Sequence, residues 1–232
     1  MLPLNDIEPN RYTSWPFMTL ALVCLNVIIM GFENIVIVQD RETFQMLITL
    51  LGIVPTDTLQ QATSGAITSV TYMFLHGGVW HLLGNMLALW VYGRRVEDLC
   101  GPWRFLLFYI LCGIFASFIT LLTQSQSDIP VIGASGAIFG VMGAYLLLFP
   151  RGRIRTLVLL GIVPLFPKIR AYWIILYFLA INIPPAFNML VYQDLNYQTA
   201  HWTHLGGFLA GLFVFCFIRT EAFYRYRNDL PL

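Results

Sequence analysis

Apolar stretches of the length that crosses a bilayer, about 20 residues, dominate this chain and limit its fold more than any other feature. Six are read, near residues 16–38, 80–96, 103–123, 135–149, 170–187 and 200–218. In lipid every backbone polar group needs an internal partner, so such stretches are expected as helices. Apolar residues make up 58% of the 232 residues and charged ones 11%, against about 25% charged in soluble domains. The expected fold class is an all-α polytopic membrane protein, with six transmembrane helices in a single domain over residues 1–232.

The basic residues test that reading. With alternating spans, Arg41 alone among the 13 Lys and Arg residues falls on the far side. Such a bias places both termini in the cytoplasm. The segment Ile154–Phe166 is apolar but too short to cross, is interrupted by Pro164, and carries basic residues on both flanks. It is expected to lie at the cytoplasmic interface or to re-enter there.

Several classes are set aside. The first 14 residues lack the basic run and short apolar core of a cleaved signal, so the first span is expected to be an uncleaved anchor. Cys24, Cys100, Cys112 and Cys216 make neither a disulfide framework nor a metal spacing. A net charge of +1 without a basic stripe excludes a nucleic-acid partner. No metal and no cofactor are called for.

Inside the apolar stretches stand four polar residues, His81, Asn85, Ser135 and His204. Polar groups at bilayer depth are costly and mark functional sites. A hydroxyl, two imidazoles and a carboxamide are the parts of a nucleophile, a base and an oxyanion clamp. An inside N-terminus makes spans two, four and six run inward, so His81, Ser135 and His204, at or near the starts of these spans, fall in the outer part of the bilayer. A transporter would instead want polar residues along a path through both leaflets.

Small residues argue for proximity. Span four carries Gly136, Gly140 and Gly143, and span six carries Gly207 and Gly211. Spacings of three and four place them on one helix face, and small faces let helices approach closely. If the two faces meet, Ser135 and His204 come together just above the contact. His81 and Asn85, four apart, share a face of span two. His204 stands on the glycine stripe, whereas His201 lies nearer the outer water. No carboxylate is placed as a third member: Glu97 and Asp98 lie at the cytoplasmic end, and Asp128 and Asp194 in outer loops.

Taken together, the motifs His76-Gly-Gly-Val-Trp-His81-Leu-Leu-Gly-Asn85-Met86, Gly133-Ala-Ser135-Gly-Ala137 and His204-Leu-Gly-Gly-Phe-Leu-Ala-Gly211 resemble the rhomboid intramembrane serine proteases. The resemblance covers nearly the whole chain. It implies a six-helix rhomboid-like bundle that cleaves transmembrane segments of other membrane proteins within lipid. By it, Ser135 would be the nucleophile and His204 the general base. The Ser135 backbone N–H with the His81 and Asn85 side chains would form the oxyanion site. Phe139 matches an aromatic position against the base, and Gly133 the loop glycine before the nucleophile. A bacterial plasma membrane is the expected location.

The chain departs from the pattern in two places. Ala137 replaces the second glycine of GxSxG, and Ile67-Thr68 stands where many members carry Trp-Arg. Span five, with Pro184-Pro185 in its outer half, is a candidate gate. A rhomboid-like protein that binds membrane clients without cleaving them is the alternative, and intact Ser135 and His204 argue against it.

Overall fold

A computed structural model describes residues 1–12, 15–60, 62–192 and 200–228. The chain is mostly helical. Among the described residues three helices are long and apolar enough to cross a membrane: α1 (Phe17–Gln39), α7 (Pro102–Thr123) and α9 (Ala171–Tyr192), of which Ala171–Val191 qualifies. The apolar α8 (Ser135–Leu148) is shorter. The second predicted span is a run from α5 (Val79–Ala88) through a π turn, Leu89–Gly93, into α6 (Arg94–Cys100). The sixth is α10 (His201–Gly211), which tightens into a 3₁₀ segment, Leu212–Cys216.

The stretch between the first two spans is also helical, with α2 (Arg41–Leu51), α3 (Pro55–Gln60) and α4 (Ala62–Thr71). Ile67, in the place of the missing Trp, is exposed, whereas Thr68 is buried. A final helix, α11, covers Thr220–Arg227.

α1 shows how the long helices are used. Met18, Leu22, Asn26, Met30 and Glu33 are buried along one face, while Phe32, Ile35 and Val38 point outward. A helix apolar all round belongs in lipid or a large core. Its N-terminus follows Pro16, which offers no side-chain cap. The cap comes from elsewhere: the Glu97 carboxylate accepts from Met18 N (2.8 Å), Thr19 N (2.7 Å) and Thr19 Oγ1 (2.7 Å). A carboxylate there satisfies orphan N–H groups and suits the positive helix end. Glu97→Ala is expected to lower stability by about 2–3 kcal/mol, read as a lower thermal midpoint in detergent.

The all-α expectation needs correction, because the Arg-rich end of the bundle carries a small antiparallel sheet. β1 (Leu2–Asp6) pairs with β2 (Arg153–Leu160), and the return limb of the β2 hairpin is split into β3 (Val163–Leu165) and β4 (Lys168–Arg170). The segment expected at the interface is this hairpin. Gly161 turns it at φ +62°, and Ile162 at its tip is almost fully exposed. A period-two signal was present: Arg153 and Arg155 are exposed while Ile154 and Thr156 are buried. Around this sheet Arg95 pairs with Asp6 (3.2 Å), Tyr145 donates to the same carboxylate (2.7 Å), and Arg94 reaches Asn5 (3.0 Å).

Glycine contacts hold the centre. A Cβ at Gly207 would collide with Gly136 O, and one at Gly211 with Gly140 O. A Cβ at Gly143 would lie 2.6 Å from Phe208 O. α8 and α10 therefore touch backbone to backbone, as small residues permit. On its other side α10 meets α7, where Thr203 Oγ1 and Thr120 Oγ1 are 2.6 Å apart. A Cβ at Gly206 would meet Ile119 there at 2.7 Å.

Candidate active site

The N-terminal ends of α5, α8 and α10 meet at the end of the bundle away from the sheet. Ser135 is the first residue of α8, where a backbone N–H has no intrahelical acceptor. The loop leading to it is pinned twice. Ile53 and Val131 exchange backbone hydrogen bonds (3.0 and 2.8 Å), and Gly133 N donates to Tyr72 O (2.8 Å). Gly133 has φ +121°, a conformation that favours glycine. A Cβ there would also stand 2.7 Å from His81 Cε1.

His204 lies one turn into α10. Its Nε2 is 2.8 Å from Ser135 Oγ. The Phe139 ring, one turn into α8, stacks on the imidazole with centroids 4.4 Å apart and planes 6° from parallel. The meeting is a direct consequence of the Gly207–Gly136 contact one turn deeper. With side chains at that contact, the two helices would stand too far apart for a hydrogen bond between Ser135 and His204.

His81 and Asn85 approach from α5. Gly77 N donates to His81 Nδ1 at 3.4 Å, so Nε2 is left to carry the ring proton. That nitrogen would be 2.8 Å, and Asn85 Nδ2 3.6 Å, from a Cβ placed on Gly133. Asn85 is buried, and its Nδ2 has no hydrogen-bond partner among the described residues. An orphan buried donor is costly unless something arrives to accept from it. Two donors thus converge beside the loop that carries Ser135.

A cavity of about 840 Å³ opens on Ser135 and His204. α5 lines it with Trp80, Gly84 and Ala88, and α9 faces it with Phe178 and Ile181.

All six residues named from the sequence, Ser135, His204, His81, Asn85, Gly133 and Phe139, are gathered at this place. One that the sequence did not single out is Asn182 of α9. Its Oδ1 is 2.8 Å from Nδ1 of His204 and 2.8 Å from Nδ1 of His201. His201, expected at the water surface, is instead partly buried against this amide. Asn182 is a polar residue in a membrane-length apolar stretch, which is the one signal the sequence offers for it; its burial is seen only in the structure. The carboxylates stay away: Glu33 accepts from His76 N (3.1 Å), Glu97 caps α1, and Asp128 accepts from Thr56 Oγ1 (2.7 Å). Asp194 lies outside the described residues.

Comparison with known proteins decides the family. The rhomboid domain matches residues 63–221. This chain belongs to the rhomboid family. RHOMBOID-like protein 5 of Arabidopsis thaliana is 31% identical over 160 residues, 68% of this chain and 46% of that protein. Rhomboid protease GluP of Bacillus subtilis is 47% identical over 77 residues, 33% of this chain and 15% of that protein. Rhomboid protein 1, mitochondrial, of Saccharomyces cerevisiae is 36% identical over 92 residues, 38% of this chain and 27% of that protein. The matched segments span less than half the length of each of these relatives. Family and apolar helices together make this rhomboid an integral membrane protein. Its relatives come from a bacterium, a plant and yeast mitochondria, so they do not single out the bacterial plasma membrane.

Proposed function

We propose that this rhomboid is a serine endopeptidase that cleaves transmembrane segments of other membrane proteins. The observation that carries the reading is the 2.8 Å contact between Ser135 Oγ and His204 Nε2 on two helices locked together by glycines. In this reading the chain is a single domain with six spans and both termini cytoplasmic, and the contact lies in the outer half of the bilayer.

In this mechanism Ser135 attacks the peptide carbonyl while His204 Nε2 takes its proton. The Ser135 N–H, His81 Nε2–H and Asn85 Nδ2–H then hold the oxyanion. His204 returns the proton to the leaving amine, and water hydrolyses the acyl-enzyme. Phe139 limits how far the imidazole can tilt. A substrate helix hides its peptide bonds in i→i−4 hydrogen bonds, so it must unwind first, and helix-weakening residues near the cut favour it. The cavity between α5 and α9 is the route from lipid, with the end of α9 beyond Pro184-Pro185 as the movable wall, so that Asn182 stays in place.

Labelling by a fluorophosphonate probe tests the reading. The wild type should label and Ser135→Ala should not. An unlabelled, folded wild type would favour the client-binding alternative. Asn85→Ala should slow cleavage of a model transmembrane substrate by about 10²–10³-fold with the fold intact. An unchanged rate would remove Asn85 from the oxyanion site.

A further inference from the structure

Three hydrogen bonds run in series from α9 to the proposed nucleophile. Asn182 Nδ2 donates to Phe178 O one turn earlier in α9, at 2.8 Å. That bond settles which way the amide faces: the nitrogen is turned to its own helix, and Oδ1 is turned to α10. An amide oxygen can only accept, and it has two lone pairs. Two ring nitrogens lie 2.8 Å from it, so Nδ1 of His201 and Nδ1 of His204 must both carry protons. With its proton on Nδ1, a neutral His204 has a bare Nε2, and that atom faces Ser135 Oγ at 2.8 Å. The other tautomer would put N–H against O–H and leave Nδ1 without a proton to offer.

We propose that Asn182 is the positioning residue of the base: its carboxamide holds His204 in the Nδ1–H tautomer with Nε2 aimed at Ser135. This rests on the serine-protease reading above and adds to it a residue that acts through His204 and makes no hydrogen bond to Ser135. Phe139 stacking alone does not do the same work, because a ring flipped in its own plane would stack equally well on the phenyl face. The amide supplies the in-plane information. It does so without a charge, which suits a site in a low-dielectric surrounding where an unpaired carboxylate would be costly. His201 is the second donor to the same oxygen and orients the amide from the other side.

The experiment compares wild type, Ser135→Ala, Asn182→Leu and Asn182→Asp in liposomes with a model transmembrane substrate. Leucine has a similar volume and removes the acceptor. Asn182→Leu should lower kcat by about 10–100-fold while KM changes by less than about threefold. Asn182→Asp keeps an acceptor, so its kcat at high pH should exceed that of the leucine variant. Its carboxylate favours the imidazolium, so the base is neutral only at higher pH, and the acidic limb of the kcat profile should move up by roughly one unit. Among the described residues the other ionisable groups near the His204 ring are His81 from α5 and His201 from its own helix. Both are present in every variant, so they do not produce the difference.

A folded Asn182→Leu protein with wild-type kcat would overturn the proposal. If that variant does not fold, the aspartate variant decides alone, and an acidic limb at the wild-type position would overturn it. A different result, cleavage by Ser135→Ala as fast as by wild type, would instead sink the protease reading beneath it.

Discussion

Replacing Ser135 by alanine is expected to abolish cleavage, by about six orders of magnitude or to below detection. The reason is local and chemical. Ser135 opens α8, and its Oγ is the atom 2.8 Å from His204 Nε2. Alanine removes one oxygen from a partly buried site and leaves the glycine contact below untouched, so the fold should persist. The measurement is turnover of a transmembrane substrate in detergent or liposomes, with the thermal midpoint as the control for folding. Undiminished turnover in Ser135→Ala would end the nucleophile assignment.

The second large effect is expected at the base. His204→Ala should fall nearly as far as Ser135→Ala, because the two groups act as one unit. For the same reason the double variant should be no slower than either single one. His201→Ala is the informative companion. His201 shares the Asn182 oxygen but lies one turn before His204 in α10, and its loss leaves His204 with its own bond to the amide. Its rate should drop far less than that of His204→Ala. Equal losses in the two single variants would mean that the contact seen here does not identify the base.

Much of this molecule could be read from local patterns. The long helices follow from runs of apolar residues, and the family resemblance is borne out by the match over residues 63–221. The glycines at 136, 140, 207 and 211 announced a close helix pair, and the backbone contacts lie where their spacing put them. The small sheet is less legible, because the alternation Arg153-Ile154-Arg155-Thr156 is only four residues long and sits within a longer apolar run. The strand partner of that segment, Leu2–Asp6, is short and proline-bearing and lies far away in sequence.

Asn182 is hidden in the sequence for a different reason. A lone asparagine in a helix beside two prolines carries no motif, and nothing local says which way it faces. Its meaning depends on the rotation of α9 about its axis and on a contact 22 residues along the chain. Glu97 is similar: its acidity and position were visible, but its role as the cap of α1 joins residues 78 and 79 apart.

Periodicity and hydrophobic length are properties of consecutive residues, so the chain alone determined its long helices, their small-residue faces and the identity of the polar groups among them. Which groups touch is a property of helix rotation and depth, set by packing among all the helices at once. Only the tertiary structure could therefore decide the bond from Asn182 to His204, the cap from Glu97 to α1 and the pairing of the first strand with the hairpin.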